Sequence, residues 1–278
     1  MNRATDPALR MGRQTMSRGS LLVLALVAPL VGCVEPFGEQ ARHGITFYCP
    51  GVANVDMGDQ GLRAGLEKAG YKGQVARVTW SLTFNPAIDQ TVRLIAEQGG
   101  KRLAGYIQEY MDKYPGREVN VVGLSAGTCV AVWALEALKP KYQVNNVVLI
   151  SSSLWNQYDV SRALKNVRGR IYNYFSPTDA VLAGPMKVFG TIDGVFFEDA
   201  AGAVGLRIPP GAEHKIDNVE WRAEFEQYGY YGGHGDGTSA AFVEAEIAPH
   251  LVTSAAVAQR HAALARQPAT ALPAGRQD

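Results

Sequence analysis

Two rhythms of apolar and polar positions alternate along the chain. Short apolar runs of β-type composition read as strands: Ile45 to Cys49, Gln74 to Trp80, Val119 to Leu124, Val144 to Ser151 and Arg170 to Phe175. The stretch Val147-Val148-Leu149-Ile150 has no polar position, as expected of a strand covered on both faces. Between these runs the spacing becomes helical. Gly61 to Ala69 is closed by Gly70. Arg102 to Tyr114 sets Leu103, Tyr106, Ile107, Tyr110 and Met111 three and four apart, and Pro115-Gly116 stops it. Helices over Thr128 to Leu138 and Asp159 to Val167, a last strand over Ile216 to Trp221 and a last helix over Thr238 to Leu251 complete the series. Strands separated by helices predict an α/β domain over residues 44–252, with a mostly parallel central sheet and helices on both faces. The connection from Leu154 to Arg168 is too short for a large cap domain. In such sheets ligands bind outside the carboxyl ends of the strands. Residues 253–278 turn to Ala, Arg, Gln and Pro without periodicity and read as a flexible tail.

Composition excludes more than it selects. A formal net charge of +1 and 19% charged residues leave no nucleic-acid footprint. Three cysteines, Cys33, Cys49 and Cys129, are too few for a disulfide scaffold. The N-terminus is more specific. Arg18 precedes an apolar run from Leu21 to Val31 that is shorter than the roughly 20 residues a spanning helix needs. It reads as an export signal, with Met11 and Met16 as alternative starts. The run ends Leu30-Val31-Gly32-Cys33, which resembles the lipobox of bacterial lipoproteins. That resemblance implies a signal peptide over 1–32, lipidation of Cys33, a linker over 33–43, and attachment to a membrane of the cell envelope. Two or more acyl chains, at about 0.8 kcal/mol per buried CH₂, hold a protein stably where one does not. A plain secretory signal with Cys33 incidental is the alternative.

The chemistry centres on Val119-Asn120-Val121-Val122-Gly123-Leu124-Ser125-Ala126-Gly127, a strand that runs through Gly-x-Ser-x-Gly directly into a helix. A serine on such a tight turn is thrust above the sheet, and a side chain two positions to either side would collide with the turn. A serine hydroxyl needs a base in hydrogen-bond reach, and the base needs an orienting acid. Asp179 follows a strand end in Ser176-Pro177-Thr178-Asp179, and His234 lies in Gly232-Gly233-His234-Gly235-Asp236-Gly237 before the last helix. Asp193 and Asp199 are the substitute acids, and His214 is a rival base placed before the last strand. Asp179 as a turn or cap residue, and His234 as a loop histidine or half of a cation site with Asp236, are the structural alternatives. His43, His250 and His261 have no evident partner and read as solvated.

The elbow and the order Ser125, Asp179, His234 resemble the α/β-hydrolase superfamily over roughly residues 44–252. The resemblance implies that Ser125 attacks, His234 relays its proton and Asp179 holds the imidazole. It implies an oxyanion hole from the Ala126 N–H and a second N–H in the loop after Ile45 to Cys49, at Val52 with Ala53 behind, since Pro50 has none. The His-Gly-Gly-Gly form of that loop is absent, and the first strands of the family sheet are not evident. The resemblance also places Cys49 next to the strand carrying Ser125, so that a Cys49–Cys129 bridge is conceivable beside two buried thiols. No cofactor or metal is implied. The segment Val181 to Gly211 is apolar and serves as a lid, an acyl-pocket wall or plain core, while Trp155 and Tyr158 are placed to line the mouth. The function implied is a serine esterase acting on a small ester or acyl substrate. An acyltransferase or thioesterase on the same site, and a lipid-anchored binding protein on this scaffold, remain alternatives.

Overall fold

The computed structural model describes residues 34–54, 56–80 and 89–252. The signal segment, Cys33, His261 and the tail 253–278 lie outside the described residues. Among the described residues, six strands form one sheet: β1 (Ile45–Cys49), β2 (Gln74–Arg77), β3 (Val119–Leu124), β4 (Val147–Ile150), β5 (Ile171–Phe175) and β6 (Ile216–Glu220), in the order β2-β1-β3-β4-β5-β6. Every pairing is parallel. The chain steps from β1 out to the β2 edge, then returns past β1 to β3 and on to the other edge. The order therefore reverses between β1 and β3, and the crevice above such a switch point is where open α/β sheets bind ligands. Beyond β2 there is a single antiparallel bridge, Val34 to Val78, and no further strand among the described residues.

The period-two alternation divides each strand between two cores. Phe47, Val121, Val147, Leu149 and Ile171 face one layer, with α2 (Asp89–Lys113), α3 (Gly127–Ala137) and Ala163 of the short α4 (Ser161–Leu164). Tyr48, Val122, Val148, Ile150 and Tyr174 face the other. That layer holds α1 (Gly58–Lys68) and the C-terminal helix. The C-terminal helix runs through Ala240–Phe242, a π turn at Val243–Ile247, and Ala248–Leu251. Pro249 lacks the N–H that would continue the ladder, and the π register lies just before it.

Several elements differ from their predicted extent. α2 begins at Asp89 rather than Arg102. Gly99 and Gly100 look like breakers in sequence, but they let the helix approach closely. A Cβ at Gly99 would lie 2.8 Å from Trp80 Cβ, and one at Gly100 would lie 2.9 Å from Trp133 Cβ. β4 loses its predicted first residues because Val144 makes only an isolated bridge to Val167. Three short helices, α5 (Ala180–Ala183), α6 (Pro185–Phe189) and α7 (Ala201–Val204), fill the β5–β6 connection, and no large cap domain is present among the described residues.

Candidate active site

The turn after β3 has the strain its sequence demands. Ser125 has φ +52°, in the left-handed region that costs a residue with a Cβ roughly 1–2 kcal/mol. Three donors converge on its carbonyl oxygen and hold it there: the Thr128 N–H at 3.0 Å, the Thr128 hydroxyl at 2.5 Å and the Ser153 N–H at 3.5 Å. The flanking glycines are obligatory. A Cβ at Gly127 would lie 2.1 Å from the Cys49 carbonyl oxygen, and one at Gly123 would lie 2.8 Å from Thr128 Cα. The turn thus packs backbone to backbone against the end of β1, and the Ser125 side chain projects from the carboxyl edge of the sheet.

Asp179 follows β5 and is the N-cap of α5. Its Oδ1 accepts the N–H groups of Val181 at 3.0 Å and Leu182 at 3.2 Å. Its Oδ2 lies 2.8 Å from His234 Nδ1, and His234 Nε2 lies 2.8 Å from Ser125 Oγ. The structural alternative for Asp179 and the predicted contact are therefore both present, on different oxygens. A carboxylate offers only acceptors, so Nδ1 carries the imidazole hydrogen and Nε2 presents its lone pair to the serine hydroxyl. Asp179 is fully buried and Ser125 nearly so, while the His234 side chain is 23% exposed. The acid end of the array is dry and the serine end opens outward. The loop carrying His234 is tied by Asp236, whose Oδ2 accepts the N–H groups of Tyr231 at 3.2 Å and Gly233 at 3.0 Å. His234 has both ring nitrogens engaged, by Asp179 and by Ser125, while Asp236 holds its own loop. Beneath the histidine, burial and the charges of Asp179 and Asp236 raise the Tyr230 hydroxyl well above its ordinary pKa.

The second side of the site is the loop after β1. The N–H groups of Ala126 and Val52 meet no acceptor among the described residues, as groups reserved for a ligand would. The Gly51 N–H is engaged by Asp56 Oδ2 at 2.7 Å. A groove of about 480 Å³ lies between the loop after β1 and the loop after His234, lined by Asp56, Met57, Leu124, Gly235 and Asp236 among others. A concavity of about 540 Å³ around Gln40, His43, Tyr71 and Gly73 lies at the amino ends of β1 and β2, away from this chemistry.

The remaining sequence candidates have other roles. Asp193 accepts the Trp155 N–H at 2.9 Å, and Asp199 pairs with Lys187 at 2.8 Å, so neither substitutes for Asp179. His43 and His214 are exposed. His250 contradicts the solvated reading. It stacks on Tyr172 at 3.7 Å, and its Nε2 lies 3.1 Å from the Tyr174 hydroxyl, because the helix that carries it lies against the sheet. Tyr158 does not line the mouth. Its hydroxyl accepts from Trp133 Nε1 and donates to Glu136, in a separate polar cleft with Arg93 and Arg162. Trp155 is half-buried and bridges to Ala200. The Val181–Gly211 segment divides. Leu206 joins the main core and Leu182 packs with Ala200 and Ala203, whereas Val181, Val188, Phe196 and Phe197 are exposed. Cys49 and Cys129 are both free and buried, and burial raises both thiols above their ordinary pKa.

No protein-family model and no curated protein matches the sequence. Solved structures do. Aspergillus fumigatus lipase B superposes with a TM-score of 0.50 at 14% identity, over 79% of this chain and 55% of that one. The chain has the α/β-hydrolase fold. It spans about half the length of that lipase. A lipase-esterase related protein from Clostridium acetobutylicum is similar at 10% identity, over 80% of this chain and 100% of that one, with a TM-score of 0.46. A Pyrococcus furiosus esterase is similar at 12% identity, over 80% and 84%, also at 0.46. Among the described residues, β2 is the edge strand on the β1 side of the sheet.

Sequence reasoning overlooked Asp56, Tyr48, Thr128 and Ser153, which hold the site rather than form it. Only Asp56 carried a signal, as an Asx-type turn former two residues before Gly58. Nothing in the spacing tells that its carboxylate reaches back to Gly51.

Proposed function

We propose that this chain is a serine hydrolase of carboxylic esters, working through an acyl-enzyme on Ser125. The observation that carries the reading is His234, which lies 2.8 Å from both the serine oxygen and the Asp179 carboxylate. In this reading Ser125 Oγ attacks the acyl carbon as its proton passes to His234 Nε2. The oxyanion that forms is held by the N–H groups of Ala126 and Val52, each worth roughly 3 kcal/mol of barrier. Asp179 keeps the tautomer and stabilises the imidazolium. The ester bond then breaks, and the alcohol leaves with the proton from Nε2. Water attacks the acyl-serine, gives its proton to Nε2, and releases the carboxylic acid and free Ser125. Met57, Val181 and Tyr231 expose apolar surface near the groove and the triad, which suits medium acyl or aryl groups. The lipobox at Leu30 to Cys33 supports attachment of the mature enzyme to an envelope membrane through Cys33. The test is turnover of p-nitrophenyl esters of increasing chain length, alone and with added alcohol or thiol acceptors. Free acid as the product, abolished by Ser125→Ala, is expected. Acyl transfer to the acceptors would make it a transferase. No turnover by a folded wild type would leave a binding scaffold.

A further inference from the structure

We infer that Asp56 is a positioning residue for the reaction, fixing the aim of the second oxyanion donor. The inference rests on the serine-hydrolase reading above. The Asp56 carboxylate gathers three donors from both ends of the loop after β1: the Gly51 N–H on Oδ2 at 2.7 Å, and the Gly58 N–H at 3.0 Å and Tyr48 hydroxyl at 2.5 Å on Oδ1. Tyr48 is fully buried, and burial together with the Asp56 charge raises its pKa, so it remains a donor. The Val52 N–H belongs to the peptide unit that carries the Gly51 carbonyl. That unit is planar and trans, so the N–H points opposite the carbonyl. The Gly51 carbonyl accepts the Asn54 N–H at 3.2 Å, while the Gly51 N–H is held by Asp56. Both ends of Gly51 are therefore fixed, and with them the direction of the Val52 N–H. A Cβ built on Gly51 would lie 3.5 Å from Ser125 Cβ, so this peptide sits directly against the nucleophile.

The rest of the loop is clamped from β2. Arg77 Nη2 donates to the carbonyls of Asn54 at 2.6 Å and Asp56 at 3.1 Å, and Trp80 Nε1 donates to the Pro50 carbonyl at 2.8 Å. Arg77 Nη1 also pairs with Asp59. These contacts hold the outer turns, but only the Asp56 carboxylate reaches the Gly51 N–H. Preorganised donors act because they need no reorganisation as charge develops, so a loosened Gly51 costs rate and not ground-state binding.

Asp56→Asn tests this. An amide has one acceptor oxygen, so whichever way it turns, its NH₂ confronts the N–H of Gly51 or of Gly58. In a folded Asp56→Asn, kcat on p-nitrophenyl butyrate is expected to fall roughly 10- to 100-fold, with KM within about threefold of wild type. Affinity for a trifluoromethyl ketone, which forms a tetrahedral oxyanion on the serine, should fall in parallel. The pH midpoint of kcat/KM should not move, because His234 and Asp179 are untouched. Tyr48→Phe leaves both N–H groups on the carboxylate and should lower kcat about two- to fivefold. That variant decides the matter if Asp56→Asn does not fold. A folded Asp56→Asn or Tyr48→Phe with wild-type kcat, or one that raises KM alone, overturns the role of Asp56 while ester turnover by wild type leaves the hydrolase reading standing. A wild type that neither turns over esters nor binds the ketone overturns both.

Discussion

Asp179→Asn separates the two roles that Asp179 combines. Its Oδ1 caps α5 through two backbone N–H groups, and its Oδ2 meets His234. Asparagine is as good an N-cap as aspartate, and its single oxygen satisfies the two backbone donors. The NH₂ then faces His234 Nδ1, which must present a lone pair. The ring hydrogen moves to Nε2 and points at Ser125, so no base is available to take the serine proton. A wrong tautomer in such an array costs about 10⁴ in kcat, or roughly 5.4 kcal/mol of barrier. The fold loses much less. The cap bonds persist and a neutral hydrogen bond replaces a charge-assisted one, so the cost is about 1 kcal/mol and the Tm shift about 2–4 °C. Asp179→Ala removes the cap and the imidazole partner at a fully buried site, and should cost about 2–4 kcal/mol. The assay is kcat on a p-nitrophenyl ester beside a thermal melt for wild type and both variants. Asp179→Asn with a near-native melt and kcat within tenfold of wild type would show that the carboxylate is only a cap. Activity lost in proportion to fold would show the same.

Three further outcomes follow from the geometry. Ser125→Gly should be more stable than Ser125→Ala by about 1 kcal/mol in urea titration, because glycine alone relieves the +52° φ, although both are inactive. Gly127→Ala drives a Cβ against the Cys49 and Pro50 carbonyl oxygens, which are backbone and cannot move aside; it should lose at least about 2 kcal/mol together with ester turnover. Burial, aided by Arg170, holds His250 below its ordinary pKa despite the opposing charge of Asp217. The unfolded chain then binds more protons, so this stability is present above pH 6.5 and is lost as pH falls through 6.5 toward the folded value. Urea midpoints at pH 8 and pH 5.5 should converge in His250→Phe, which keeps the ring against Tyr172 and leaves the Tyr174 hydroxyl its bond to the Glu246 carbonyl.

The parts of the molecule legible in the sequence are those set by short-range pattern. β1 spans Ile45 to Cys49 as read, because five consecutive residues are buried and Gly44 and Pro50-Gly51 bound the run. Ser125 was legible because a left-handed serine between close-packed backbones imposes glycine at both flanks. Asp179 was reachable because it follows the end of β5 in turn-forming sequence, and His234 because it stands in a glycine-rich loop between the last strand and the last helix. What failed was set by distant packing. Gly99-Gly100 reads as a break until Trp80 and Trp133 are seen against it, and His250 reads as solvated until Tyr172 is under it. Tyr158 follows a strand end as Asp179 does, yet Trp133 and Glu136 draw it to another cleft. Asp56 shows in the sequence only as a turn former before Gly58; its reach back to the Gly51 N–H and the Tyr48 hydroxyl depends on the folded loop and leaves no residue-type signature.

The most direct measurement is active-site labelling with a fluorophosphonate, read by mass spectrometry of the intact protein and its peptides. One adduct per chain is expected, located at Ser125, absent in Ser125→Ala and formed far more slowly in His234→Ala. A folded wild-type protein that takes up no label, or that carries it on another residue, would contradict the claim that Ser125, His234 and Asp179 act as one nucleophilic unit.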